Sequence, residues 1–238
     1  TYIMDEDTLM ATDRIVLETA KAYEGDGPIS SATFHNILGK RVLETAPCPE
    51  KSFLATAAKY DVPVFTPSPG DSSVGMNLVV PTLFGFGPRL DPVRDIIEST
   101  AAVHAAKKNG VVIVGGGAPK NFYMQTQPTL WQILFDNHGG HDYFVQLTTD
   151  SPQWGGLSGA TPQEAKSWGK IREPERNCVV VYSCASITFP MLAKFALTKR
   201  EPKEQKRLQA KMPKLVENLK KRAVKNPEFM RVYGKLLP

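Results

Sequence analysis

Val111-Val112-Ile113-Val114-Gly115-Gly116-Gly117 is a run of β-branched residues that stops on three glycines. A run this short suits a buried strand better than a buried helix. The same scheme appears three more times. Val62-Pro63-Val64-Phe65 leads into Pro67-Ser68-Pro69-Gly70-Asp71-Ser72-Ser73. Phe144-Val145-Gln146-Leu147 leads into Thr148-Thr149-Asp150-Ser151, and Val179-Val180-Val181-Tyr182 into Ser183-Cys184-Ala185-Ser186. Four apolar strands, each ending in a polar or glycine-rich loop, predict an α/β fold. The sheet is expected to be doubly wound and mostly parallel, with its ligand crevice at the carboxyl ends of the strands.

Helical patterns flank these runs. Residues 5–24 place Met10, Ile15, Val16, Leu17 and Ala20 on one side with acids early, until Gly25-Asp26-Gly27-Pro28 breaks the pattern. Residues 31–43 align Phe34, Ile37, Leu38 and Val42, and Ser52 to Tyr60 forms a third helical stretch. Residues 92–109 carry Pro92 in the first turn and basic residues in the last, and residues 120–135 complete the set. No internal repeat is visible.

The chain has 238 residues, is 42% hydrophobic and 22% charged, and so is neither disordered nor collagenous. It has no apolar run of membrane-spanning length and no signal-peptide profile. Its three cysteines form no CxxC pair, which argues against a disulfide framework and for a reducing, cytoplasmic setting. The charge of +5 is unevenly spread: Lys199 onward carries 13 Lys+Arg and 4 Asp+Glu, and the residues before it carry 16 and 20. Residues 199–238 therefore read as a basic helical tail on a body of residues 1–198. No aromatic stacking platform accompanies the tail, so a solvated extension is expected rather than a nucleic-acid site.

Chemistry is concentrated in two places. The triple glycine suits close approach of backbone to a phosphate or ring, although it is not a Gly-x-Gly-x-x-Gly fingerprint and a tight strand-to-helix turn uses the same residues. The segment Trp154 to Ile171 is richer. Thr161 is placed to cap a helical turn, with Glu164 three residues on. Lys170 follows Gly169 and lies beside Trp168. A lysine held against an indole in a poor dielectric is disfavoured in its charged form, so its free amine becomes a nucleophile toward carbonyls and imines. His138-Gly139-Gly140-His141 puts two histidines in a flexible turn without nearby acidic ligands, and no metal is expected there. Cys184 at a strand end has no base assigned to it and reads as a buried or cofactor-adjacent thiol rather than a nucleophile.

The run Ser158-Gly159-Ala160-x-Pro162-x-Glu164-Ala165-x-Ser167-Trp168-Gly169-Lys170-Ile171 closely resembles the active-site segment of deoxyhypusine synthases. Pro63-Val64-Phe65-x-Pro67, Asp71-x-Ser73-x-Gly75 and Gly115-Gly116-Gly117-x-x-Lys120 are similar to further segments of that family, in the same order, from about residue 52 to residue 195. The resemblance implies a Rossmann-like, NAD-binding sheet and a homotetramer with sites at subunit interfaces. It implies oxidation of spermidine by hydride transfer and transfer of an aminobutyl group, as an imine on the motif lysine, to the hypusine-bearing translation factor. By position Lys170 is the imine-forming nucleophile, Trp168 lines the amine channel and Glu164 contacts an amine end. Asp71, Gly115, Gly116, Gly117, Thr149, Asp150, Cys184 and Ala185 are the implied cofactor positions.

The departures from the family pattern fall at the polyamine positions. Two family aspartates correspond to Met76 and Leu157, a histidine to Asn121, and a cofactor-side aspartate to Cys184. Each lost charge-assisted hydrogen bond is worth roughly 1.5–3 kcal/mol, so an altered amine substrate is expected. Family members also carry an additional N-terminal region. This chain begins after its counterpart, and either a fragment boundary or a second chain supplying that part accounts for this. Three readings follow: a deoxyhypusine-synthase-type aminoalkyl transferase, a homospermidine-synthase-like enzyme with a diamine acceptor, or a non-catalytic NAD-binding paralogue that regulates an active subunit.

Overall fold

The computed structural model describes residues 5–237. They form two compact units, one running up to Glu98 with Gln205–Met212, and the other Ser99–Glu204 with the described residues from Pro213 onward. Each is built from local signals visible in the chain.

In the first unit, helix α1 (Glu6–Lys21) starts where the Asp5 carboxylate accepts the Thr8 N–H at 2.8 Å. Strand β1 (Pro28–Ile29) follows the glycine turn. Helices α2 (Ser31–Thr45) and α3 (Phe53–Lys59) are capped by Ser30 and Ser52. Short helices α4 (Ser73–Asn77) and α5 (Val79–Leu83) precede β2 (Arg89–Leu90), which pairs parallel with β1. The apolar faces of α1 and α2 meet in a core of Val16, Ala20, Ile29, Phe34, Leu38 and Leu78. Helix α6 (Pro92–His104) follows β2, and its buried Asp95 accepts both the N–H and the hydroxyl of Ser31 at 2.7 Å.

One expected strand does not form. Val62-Pro63-Val64-Phe65 belongs to no strand. Side chains meet the backbone here instead: His35 Nδ1 contacts the Val64 carbonyl at 2.7 Å, and just after the run the Ser31 hydroxyl accepts the Thr66 N–H at 2.9 Å. Pro63 has no N–H to give a ladder.

The other three runs are strands of one parallel sheet in the second unit. They are β3 (Gly110–Val114), β4 (Tyr143–Thr148) and β5 (Cys178–Tyr182), in the order β3-β4-β5. Register aligns Val112 with Val145 and Val145 with Val179. The order follows the chain without reversal, so these strands make an α/β sheet that lacks a switch point of its own. Between β3 and β4 run α7 (Gly117–Met124), α8 (Thr126–Pro128) and a wide π turn over Thr129–Ile133. Between β4 and β5 lie α9 (Pro162–Ser167) and α10 (Pro174–Asn177). Helix α11 (Ala185–Lys199) leaves β5.

The basic tail is helical, as α12 (Leu208–Lys225) and α13 (Pro227–Tyr233), but it is not simply solvated. Leu219 packs with Ala101, Val103 and Leu130 in a core of the second unit, while Lys214, Lys220, Lys221 and Lys225 face solvent. Period-3.6 patterning accounts for both faces. A second cluster, Ile113, Met124, Phe144 and Ile171, sits against the sheet. Among the described residues no helix is long and apolar enough to cross a membrane.

Candidate active site

Because β3, β4 and β5 are parallel, their carboxyl ends share one edge. Gly115, Gly116 and Gly117 follow β3, Thr149 and Asp150 follow β4, and Cys184 and Ala185 follow β5. Gly116 has a steric reason: a Cβ there would stand 2.6 Å from Ser158 Cα, so the turn and the later glycine-rich loop touch through bare backbone. Gln146, buried in β4, ties the same two segments. Its amide donates to Gly115 O at 2.8 Å and to Ser158 O at 2.7 Å.

Lysine 170 is fixed by how α9 ends. The Thr161 hydroxyl accepts the Glu164 N–H at 3.2 Å to start the helix, as the sequence predicts. Gly169 ends it at φ +68°, and the Lys170 N–H returns to the Ala165 carbonyl at 3.0 Å. The Lys170 carbonyl accepts the His141 N–H at 2.9 Å, and Ile171 bridges to His141 and is buried. The lysine therefore leaves a backbone held on both sides.

Its side chain enters a pocket wholly within the second unit, lined by Lys120, Asn121, Leu157, Glu164 and Trp168 among others. Lys170 Nζ donates to Asn121 Oδ1 at 2.9 Å and lies 5.7 Å from the centre of the Trp168 ring. Burial lowers its pKa from the ordinary lysine value, and the Glu164 carboxylate pulls the other way. Glu164 is the one carboxylate in the lining among the described residues. Leu157 and Trp168 present half-exposed or more exposed apolar surface to the opening.

Sequence reasoning missed Lys120 as a site residue. It is buried, with Nζ donating to Gln146 Oε1 at 3.0 Å and to the Ala160 carbonyl at 2.7 Å. Burial pushes its pKa down to about 8, with Glu164 and Asp150 opposing and Lys170 reinforcing. The available signal was Gln146, a polar residue inside an otherwise apolar strand, which needs a partner once buried.

The remaining candidates lie elsewhere. Asp71 ends a short 3-10 turn, Pro69–Asp71, in the first unit, and Met76 is exposed in α4, in a groove with Pro69, Gly70, Leu78 and Val79. His138 and His141 do not share a site. His141 is buried, stacked on Tyr123 with ring centres 4.5 Å apart and bonded to Asn109, and burial drives its pKa down to about 4. His138 does have an acid beside it, contrary to the sequence reading: Asp136 Oδ2 is 3.5 Å away.

The sheet edge leaves backbone open at its glycine turn. Gly115 and Gly117 have left-handed φ and open space where a side chain would stand, and the first turn of α7 carries no side-chain cap. Bare N–H groups favour a pyrophosphate, and the Asp150 carboxylate can accept from ribose hydroxyls.

Comparison with known proteins agrees with the motif. The deoxyhypusine synthase family model matches residues 1–196. A deoxyhypusine synthase-like protein of Nostoc punctiforme is 41% identical over 228 residues, covering 92% of this chain and 58% of that protein. Probable deoxyhypusine synthase 2 of Methanosarcina acetivorans is 40% identical over 188 residues, covering 79% and 53%. Probable deoxyhypusine synthase 1 of Archaeoglobus fulgidus is 41% identical, covering 72% and 52%. The chain thus spans little more than half the length of these relatives.

Proposed function

Because the chain belongs to the deoxyhypusine synthase family, we propose that it is an NAD-dependent aminoalkyl transferase in which Lys170 carries the transferred group. The observation that carries this reading is the Lys170 amine, part-buried against Trp168 and depressed in pKa at the mouth of a pocket. Asp71, Gly115, Gly116, Gly117, Thr149, Asp150, Cys184 and Ala185 would hold NAD, on a Rossmann-like sheet with residues 1–198 as the family unit and 199–238 as its extension. NAD supplies the hydride acceptor and donor that interconvert amine and imine.

Lys170 acts on the imine. Its free Nζ attacks the C=N carbon of the oxidised substrate, the substrate's own nitrogen leaves as an amine, and the four-carbon unit becomes an imine on Lys170. Asn121 Oδ1 orients the Nζ hydrogens, leaving the lone pair for attack. Glu164 offers a carboxylate to an ammonium end. An acceptor amine then takes the fragment by the reverse exchange and frees Lys170.

The substrate is proposed to differ from spermidine in charge. The pocket holds two lysines and one carboxylate, and Leu157 presents apolar surface where the family has an acid. An ammonium against such a wall loses hydration without compensation. The acceptor is a lysine of the hypusine-bearing translation factor or a small diamine, and product analysis with each separates these. A non-catalytic, regulatory paralogue is the alternative that the altered acids favour.

Borohydride trapping with NAD and a panel of diamines and polyamines tests the reading. A mass adduct mapped to Lys170 supports it. An adduct that persists in Lys170→Arg, or none with any amine, overturns it and leaves the regulatory alternative.

A further inference from the structure

Away from the Lys170 pocket, three side chains of the second unit converge on one point. His104 ends α6, and Asp136 and His138 lie in the loop before β4. His104 Nε2 is 3.3 Å from Asp136 Oδ2, and His138 Nε2 is 3.5 Å from the same oxygen. One donor atom from each residue lies within 4.8 Å of the others. Zinc holds imidazole nitrogens and carboxylate oxygens at about 2.0–2.2 Å in a tetrahedron, whose edges are then roughly 3.3–3.6 Å. Both measured separations match such an edge.

The surroundings hold the three in place. The Asp136 N–H donates to the Leu130 carbonyl at 2.9 Å. Arg222 of α12 donates to both carboxylate oxygens, at 3.1 and 3.3 Å. Arg172 holds the His138 carbonyl, and Gly139 turns back through an Asn137 side-chain bond of 2.7 Å. All three side chains are partly buried, with 12% of Asp136 exposed, 18% of His104 and 28% of His138. A bound ion would keep one face open to water.

We propose that His104, Asp136 and His138 form a binding site for a divalent transition metal of the zinc class. Two imidazoles and one carboxylate suit zinc and its neighbours, whereas calcium and magnesium take oxygen ligands. Three protein ligands leave a fourth position for water. Arg222 donates to both oxygens of Asp136, including the Oδ2 that faces the histidines, and so fixes the carboxylate as an outer partner that competes with the ion for that oxygen. Its positive charge opposes the ion and sets the affinity below that of an uncharged surround. The site joins the end of α6 to the loop before β4, so its occupation is expected to stabilise the second unit.

The test is titration of chelator-treated protein with zinc sulfate, by calorimetry and thermal unfolding. One equivalent should bind saturably and raise the melting temperature. Outer-shell partners alone are worth roughly 10–100-fold in metal affinity, so His104→Ala and His138→Ala should each lose about a hundredfold or more. Asp136→Asn, which keeps a hydrogen-bonding side chain, should lose at least about tenfold, and it stands in if an alanine variant fails to fold. Absence of saturable binding by the wild type overturns the proposal. So does undiminished binding by the double histidine variant, which would assign the metal to Cys48, Cys178 or Cys184.

Discussion

Lys120 and Lys170 show how burial divides two amines in one pocket between two tasks. Lys120 spends its hydrogens on Gln146 Oε1 and the Ala160 carbonyl and so secures the loop. Lys170 donates to Asn121, and burial lowers its pKa from the ordinary lysine value. The folded pKa of Lys120 is about 8 against an ordinary 10.5. Between those values the unfolded chain binds more protons than the folded one, so stability rises with pH across that window. Lys120→Met should abolish that rise in denaturant titrations at pH 8 and pH 10 relative to wild type. It should also cost about 1–3 kcal/mol at pH 7, because two buried acceptors lose their donor. A second expectation concerns substrate. Leu157→Asp places a carboxylate on the lining and should tighten spermidine binding about tenfold or more, read by calorimetry with NAD present. Unchanged binding would show that the apolar wall does not set the amine preference.

At the scale of the element, α9 and its C-terminal turn set the position of the candidate nucleophile. Gly169 combines φ +68° with a site where a Cβ would stand 2.8 Å from Trp131 Nε1. Gly169→Ala is therefore expected to destabilise by about 1–3 kcal/mol and to reduce borohydride trapping at Lys170 with NAD and amine unchanged. At the other end of α9, Thr161→Ala removes the cap along with part of the pocket lining, and the expected loss is about 1 kcal/mol in chemical unfolding. A larger effect of the cap than of the glycine would contradict this ordering.

At the scale of the whole molecule, the tail from Pro213 onward is part of the second unit's packing and not an appendage. Leu219 is 6% exposed among Ala101, Val103 and Leu130. Leu219→Ala should cost about 2–4 kcal/mol by thermal or urea unfolding, whereas Lys220→Ala on the solvent face should be near neutral. Helix α11 is the opposite case. Ile187, Met191, Phe195 and Leu197 are all exposed on it. An apolar surface of this kind suits burial against another chain, and we propose that it does so in the homotetramer that the family resemblance implies. Light scattering should give a mass of four chains, and Phe195→Glu with Leu197→Glu should lower it. A monomeric wild type would remove the tetramer from the proposal.

The sequence by itself determined whatever depends on near neighbours. Strands β3, β4 and β5 were legible because short β-branched runs end in turn residues, α1 and α2 because apolar residues recur at helical spacing, and α9 because Thr161 caps it. The motif ending in Lys170 named the family without any coordinates. Tertiary structure alone decided the rest, because the partners are distant along the chain. Val62-Pro63-Val64-Phe65 has the composition of a strand, yet His35, whose contact reaches Val64 from 29 residues away, and Ser31, whose contact reaches Thr66 just after the run from 35 residues away, take the place of strand neighbours. Lys120 is legible only as the lysine after the glycine turn until Gln146 and Ala160, 26 and 40 residues on, enclose it. His104 and His138 look unrelated until α6 ends beside the loop that carries Asp136. Burial and convergence are properties of packing, and packing is set by contacts that no local window of sequence contains.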